Sequence, residues 1–250
     1  MTKPKVIAFD LDGTLALSKS PITPRMAELV SKLLDKYNII VISGGAFPQF
    51  EKQFLSNLHT SEEGLANLTL MPQSGGEVYA YAEHKWIKQI SHNISKEEQE
   101  QIISSINSAL TKVSWPLPRE VFGDVIEVRG SQVSYSALGQ NAPLDKKRGW
   151  DSDIIKRKEL ANIIRPTLLL FDVRIGGTTT IDITHQGVNK RSAIVEYLQA
   201  NNISNNEITY IGDALYPGGN DSIVKDLISD TREVAGPDET TVIIEELLYE

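Results

Sequence analysis

Two carboxylates set the chemistry of this chain. Asp10 and Asp12 stand two residues apart in Phe9-Asp10-Leu11-Asp12-Gly13-Thr14, at the end of the apolar run Val6-Ile7-Ala8-Phe9. In extended backbone that spacing points both side chains the same way. Carboxylates held side by side repel, and burial would neutralise at least one. A divalent cation between them relieves the repulsion. So does a division of labour in which one carboxylate reacts and the other handles a proton. Gly13 lets the chain turn, and Thr14 adds a hydroxyl beside the pair.

Three further stretches carry compatible groups. Ser43-Gly44-Gly45 places a hydroxyl next to bare backbone N–H groups, a combination suited to a phosphoryl oxygen. Lys190 falls at a helix start, where the macrodipole disfavours a cation and a nearby anion would favour one. Gly212-Asp213 opens a loop that runs through Pro217-Gly218-Gly219-Asn220 and returns a second carboxylate at Asp221. Two or three carboxylate oxygens are a hard donor set that fits Mg2+. His59, His84, His92 and His185 show no metal-ligand spacing.

The elements that must position these groups follow from periodicity. Val6–Phe9, 38–42, 68–71 and 208–211 are short apolar runs of the kind buried in parallel sheets. Helices are expected over about 24–36, introduced by Thr23-Pro24, over about 47–58, from Asn189, around Ile223 to Leu227, and at the C-terminus. Asp10, Ser43 and Asp213 then all sit at strand ends, and open parallel sheets bind ligands outside the carboxyl ends of their strands. The middle of the chain changes character. A hairpin around 78–87 is followed by a Ser95…Glu98 capping box. An antiparallel pair at 124–129 and 132–138 comes next, then a helix over 151–164. Two strands, 167–174 and 178–184, close the segment around Gly176-Gly177. The predicted fold is α/β, a doubly wound parallel-sheet core carrying an inserted α+β cap. Residues 1–83 and 188–250 form the core, and residues 84–187 form the cap.

Composition narrows the function. The 250 residues are 40 % hydrophobic and 23 % charged, as a packed globule requires. A formal net charge of −8 argues against non-specific binding to nucleic acid or anionic membrane. With no cysteine, thiolate chemistry and disulfides are excluded. No leader is visible before the first strand, and no apolar run approaches the ~20 residues that span a bilayer. A cytoplasmic protein is the expectation, and a homodimer is compatible with it.

The four stretches Asp10-Leu11-Asp12-Gly13-Thr14, Ser43, Lys190 and Gly212-Asp213 through Asp221 occur in the order of the motifs of the haloacid dehalogenase superfamily, which the chain resembles. The insertion between Ser43 and Lys190 looks like a C2-type cap. The Pro217–Asp221 run is similar to that of the eukaryotic-type phosphomannomutases. The resemblance implies that Asp10 attacks phosphorus and becomes an aspartyl phosphate. It implies that Asp12 is the general acid/base, with its backbone carbonyl on Mg2+, and that Asp10, Asp213 and Asp221 complete the metal site. It also implies cap contacts to substrate from Arg129, Thr180 and Asp182. Gln140 looks to stand where a second cap arginine is expected. Lys147 looks to stand near a third, with Lys146 or Arg148 as alternatives in register. Lys19 replaces an arginine in the first core loop. Gln and Lys lack the bidentate guanidinium fork. The resemblance therefore implies Mg2+-dependent hydrolysis of a sugar phosphate or similar small phosphoester, with phosphomannomutase activity as the runner-up. A catalytically silent binding protein is the remaining alternative.

Overall fold

The computed structural model describes residues 4–249. Met1, Thr2 and Lys3, on which the expectation of no leader partly rests, lie outside the described residues, as does Glu250. The chain forms two compact units, Met1–Ser91 with Asn189–Glu250, and His92–Val188.

In chain order the first unit supplies β1 (Val6–Asp10), α1 (Pro24–Leu34), β2 (Asn38–Ile42), α2 (Phe47–Gln53), α3 (Glu62–Ala66), β3 (Leu68–Met71), β4 (Glu77–Ala82) and β5 (Lys85–Ser91). The second supplies α4 (Lys96–Leu110), β6 (Ile126–Val128), β7 (Val133–Ser136), α5 (Leu144–Trp150), α6 (Ile155–Ile164), β8 (Phe171–Gly176) and β9 (Thr180–His185). The first then resumes with α7 (Lys190–Ala200), β10 (Ile208–Gly212), β11 (Asp230–Glu233) and α8 (Pro237–Tyr249).

The first unit is built on a seven-stranded sheet of order β11-β10-β1-β2-β3-β4-β5. It is parallel from β11 to β3, and β4 and β5 run antiparallel. Alternation along the strands divides the core. Ile7, Phe9, Ile39, Val41, Leu68 and Leu70 pack with Met26, Leu29, Phe50 and Ile244 of α1, α2 and α8. Val6, Ala8, Ile40, Ile42 and Tyr210 pack on the other face with Ala193, Ile194 and Leu198 of α7. Thr23 caps α1 by accepting from Met26 N, with Pro24 in the first turn.

Several boundaries differ from the sequence expectation. The segment 84–91, expected in the cap, belongs to the first unit, where Lys85–Ser91 form β5 and its ladder with β4 ties it to the core sheet. Val188, placed in the core, belongs to the second unit. The helix expected over 47–58 ends at Gln53 and gives way to a single 3₁₀ turn. Only another such turn, Ser222–Val224, forms where a helix was expected near Leu227. The strand expected from Thr167 starts at Phe171, because Arg165–Thr167 close a 3₁₀ turn around Pro166. No helix among the described residues is long and apolar enough to cross a membrane.

The second unit has a four-stranded antiparallel sheet of order β6-β7-β9-β8. Val133, Tyr135, Val173, Ile181 and Ile183 pack with Ile102 and Ile106 of α4 and Leu160 and Ile164 of α6. The alternate residues are polar. Glu127, Ser134, Asp182 and Arg174 form one row across all four strands. The Ser95–Glu98 capping box closes the start of α4 reciprocally.

Candidate active site

Of three neighbouring strands, β1 ends in Asp10, while β10 and β2 are followed directly by Asp213 and Ser43. Chain order reverses between β1 and β10, the switch point at which such sheets bind ligands. Ala8 pairs with Tyr210. The strand period therefore places Ala8, Asp10 and Tyr210 on one face, the face that α7 covers.

Lys190, the first residue of α7, reaches under this strand end and is 2 % exposed. Its Nζ donates to Asp10 Oδ1 at 2.5 Å and to Asp221 Oδ1 at 2.6 Å. Tyr210 Oη donates to the same Asp221 oxygen at 2.5 Å, and Ala214 N donates to Asp221 Oδ2 at 3.2 Å. Burial works against the Lys190 ammonium, but Asp10 and Asp221 outweigh it and raise its pKa. Burial, together with Asp221 and Asp213, pushes Asp10 up against the pull of Lys190. Asp213 is pushed up to about 6, by burial first and Asp221 second.

These directions state a charge imbalance. One ammonium faces three carboxylates, those of Asp10, Asp213 and Asp221, which each bring an oxygen within 4.8 Å of the others. Three minus one leaves two uncompensated negative charges, the complement of a divalent cation. The donor set is all carboxylate oxygen, which suits a hard dication. The loops fit closely as well. Gly13 has φ +89°, and a Cβ there would lie 2.3 Å from Asp213 Oδ2. A Cβ at Gly219 would lie 2.1 Å from the Ala214 carbonyl oxygen. Both glycines are needed for the two loops to close on the cluster.

Asp12 departs from the expectation that it points the same way as Asp10. Extended backbone stops at Asp10, and the chain folds into turns in which Leu15 N and Ala16 N both donate to Leu11 O. Asp12 therefore meets a different element. Its carboxylate accepts from Gln49 Nε2 (3.0 Å) and Gln53 Nε2 (3.1 Å) on α2, from Lys19 N (2.8 Å), and from Ser43 Oγ (3.4 Å). It lies outside the three-carboxylate cluster. Lys19 meets Asp12 through its main chain and has a left-handed φ of 56°. Ser43 is 3 % exposed, and its Oγ also accepts from Gly45 N at 3.4 Å, across Gly44. The Thr14 hydroxyl is buried with no hydrogen-bond partner among the described residues.

The remaining expected residues lie in the second unit. Arg129 Nη2 donates to Glu127 Oε2 at 2.7 Å. Asp182 Oδ1 accepts from Ser134 Oγ (2.6 Å) and Gln132 Nε2 (3.0 Å), and enclosure raises its pKa despite Arg129 and Arg174. Thr180, two residues along β9, donates its hydroxyl to Gly176 O at 2.5 Å. Of the three consecutive cations, Lys147 is the buried one, and its Nζ donates to Gln140 O at 2.8 Å. Lys146 instead pairs with Glu120 at the surface.

Sequence reasoning missed Gln49, Gln53 and Tyr210. The two glutamines stand four apart on α2, one helical face, directly after Ser43-Gly44-Gly45. Tyr210 stands two before Gly212, on the same strand face.

The chain is similar to known proteins in sequence and in fold. A phosphomannomutase of Spinacia oleracea is 24 % identical, aligned over 88 % of this chain and 86 % of that protein. One of Glycine max is 25 % identical, over 99 % of this chain and 98 % of that protein. Among solved structures, IMP-bound IMP-nucleotidase of Plasmodium falciparum shares the fold with a TM-score of 0.72 at 13 % identity, covering 99 % of this chain and 69 % of that one. A Streptococcus mutans protein does so with a TM-score of 0.63 at 17 % identity, covering 99 % and 100 %. The family described as haloacid dehalogenase-like hydrolase matches residues 7–221, a span that contains every group of the site just described. This chain belongs to that family and is an enzyme.

Proposed function

We propose that the protein transfers the phosphoryl group of a sugar phosphate or similar small phosphoester to Asp10, with Mg2+ held by Asp10, Asp213, Asp221 and the backbone carbonyl of Asp12. The observation that carries this reading is the Lys190 ammonium against Asp10 Oδ1, inside a cluster whose carboxylates outnumber it three to one. When bound, the dication supplies charge neutralisation for the phosphoryl oxygens.

The chain's own groups divide the remaining work. A carboxylate oxygen of Asp10 forms a bond to phosphorus as the bond from phosphorus to the leaving sugar oxygen breaks. Asp12, held by α2, gives a proton to that oxygen. Lys190 offsets negative charge on the transferred group, and the Ser43 hydroxyl, the main chain after it and the buried Thr14 hydroxyl offer hydrogen bonds. In the second half Asp12 takes a proton from water, the water oxygen bonds to phosphorus, and the bond to Asp10 breaks, releasing phosphate.

Hydrolysis is the first reading because the second unit offers a thin cationic set. Arg129 is paired with Glu127, Gln140 carries no charge, and Lys147 donates to the Gln140 carbonyl. Phosphomannomutase activity is the second reading, favoured by the names of the relatives. In that case a bound sugar phosphate replaces water as the acceptor. A panel of phosphorylated sugars, scored for both free phosphate and isomerised product, separates them. Phosphate release outrunning conversion of mannose 1-phosphate to mannose 6-phosphate, with a bisphosphate activator present, supports the first. Isomerisation with little phosphate release supports the second.

A further inference from the structure

We propose that Tyr210 is a positioning residue whose phenol hydroxyl holds Asp221 and Lys190 so that the ammonium stays against Asp10. An ammonium has three protons, and Lys190 has three acceptors: Asp10 Oδ1 at 2.5 Å, Asp221 Oδ1 at 2.6 Å and Tyr210 Oη at 3.4 Å. The phenol is the one of these three that both accepts and donates. It takes the third ammonium proton while giving its own to Asp221 Oδ1 at 2.5 Å. The Asp221 oxygen thus lies between two donors from two elements, β10 and α7, and cannot swing without breaking both.

The surroundings fix that hydroxyl. The Tyr210 side chain is fully buried in the apolar cluster with Ala8, Ile194 and Leu215. Gly212 leaves the space that the ring and the carboxylate share. A Cβ there would lie 2.6 Å from Asp221 Oδ2 and 2.9 Å from Tyr210 Cε1. If the ring were only core filling, phenylalanine would serve as well, because it would keep the ring and every apolar contact. What it would remove is the hydroxyl alone. Lys190 would then have one buried proton without an acceptor, and Asp221 Oδ1 one donor fewer.

The test uses the full-length protein and Tyr210→Phe. Its kinetic arm rests on the phosphoryl-transfer reading; its spectroscopic arm does not. For phosphate release, kcat is expected to fall about 10–100-fold, with KM within about threefold of wild type, because the phenol does not touch substrate. In proton NMR of the wild-type protein without substrate, a slowly exchanging hydroxyl resonance is expected downfield of the amide envelope. It should be absent from Tyr210→Phe and displaced in Lys190→Met. Wild-type kcat in a folded Tyr210→Phe protein overturns the proposal. If that variant does not fold, the wild-type and Lys190→Met spectra decide. A resonance that is absent from wild type, or that ignores loss of Lys190, overturns it equally. If wild type turns over no phosphoester, the functional reading fails while the spectra still decide the positioning role.

Discussion

The Lys190 ammonium lies 2.5 Å from Asp10 Oδ1, although 180 residues separate the two in sequence. The contact exists because α7 returns the chain to the first sheet with its first residue at the end of β1. It places a cation among three buried or half-buried carboxylates that repel one another.

Lys190→Met should therefore cost stability as well as turnover. Removing one partner of a buried ion pair leaves uncompensated charge, typically a loss of about 3–5 kcal/mol. The urea midpoint of Lys190→Met should fall below that of wild type. Adding Asp10→Asn should recover part of the loss, since it removes one of the stranded charges. A double variant less stable than Lys190→Met alone would count against the charge balance drawn here.

Magnesium should stabilise the fold through the same cluster. A ligand at about 100 times its Kd adds about 2.7 kcal/mol. The wild-type melting temperature should rise as Mg2+ is titrated in. Asp213→Asn should lose most of that rise, and Asp182→Asn, in the other unit, should keep it. Equal Mg2+ responses in the two variants would contradict the assignment.

Asp182 predicts a pH dependence of opposite sign to that of an ordinary paired carboxylate. Enclosure raises its pKa, so the folded chain holds the proton more tightly than the unfolded one. The stabilisation is full below the unfolded value of about 3.9 and is lost as pH rises through the raised folded value. Asp182→Asn is uncharged at every pH. In urea unfolding, its stability relative to wild type should increase between about pH 4 and pH 7. A difference that stays flat or shrinks over that range would refute the direction.

Gln53 should matter to turnover through Asp12. Its Nε2 donates to both Asp12 Oδ1 and Ser20 O, at 3.1 Å each, which ties Asp12, the proposed proton donor, to α2. Gln53→Leu keeps the approximate size and removes the donor. A kcat about 10–100-fold lower with little change in KM is expected, the worth of one hydrogen bond to a charged group. Wild-type kcat in Gln53→Leu would show that Asp12 needs no support from Gln53.

The parts of the fold legible in the sequence are those that local pattern decides. Continuous apolar runs predicted the parallel strands β1, β2, β3 and β10, because strands buried on both faces have no alternation to disguise them. Thr23-Pro24 and Ser95…Glu98 predicted helix starts because capping is chemistry within a few residues. The affiliation of β5 was not legible, since which sheet a hairpin extends depends on pairing between distant segments. The direction of the Asp12 side chain was not legible either. It depends on where β1 stops being extended and on which helix then offers donors. Tyr210 reads as a core aromatic until Asp221, eleven residues on, is seen to fold back onto its hydroxyl.

The central claim is that Asp10 carries the phosphoryl group. The direct measurement is intact-protein and peptide mass spectrometry after acid quenching of a reaction with Mg2+ and the most active phosphoester of the sugar panel. A phosphoryl adduct on the peptide containing Asp10, absent from Asp10→Asn together with turnover, is the predicted result. Wild-type-like turnover by Asp10→Asn, with no adduct on that peptide in either protein, would contradict it.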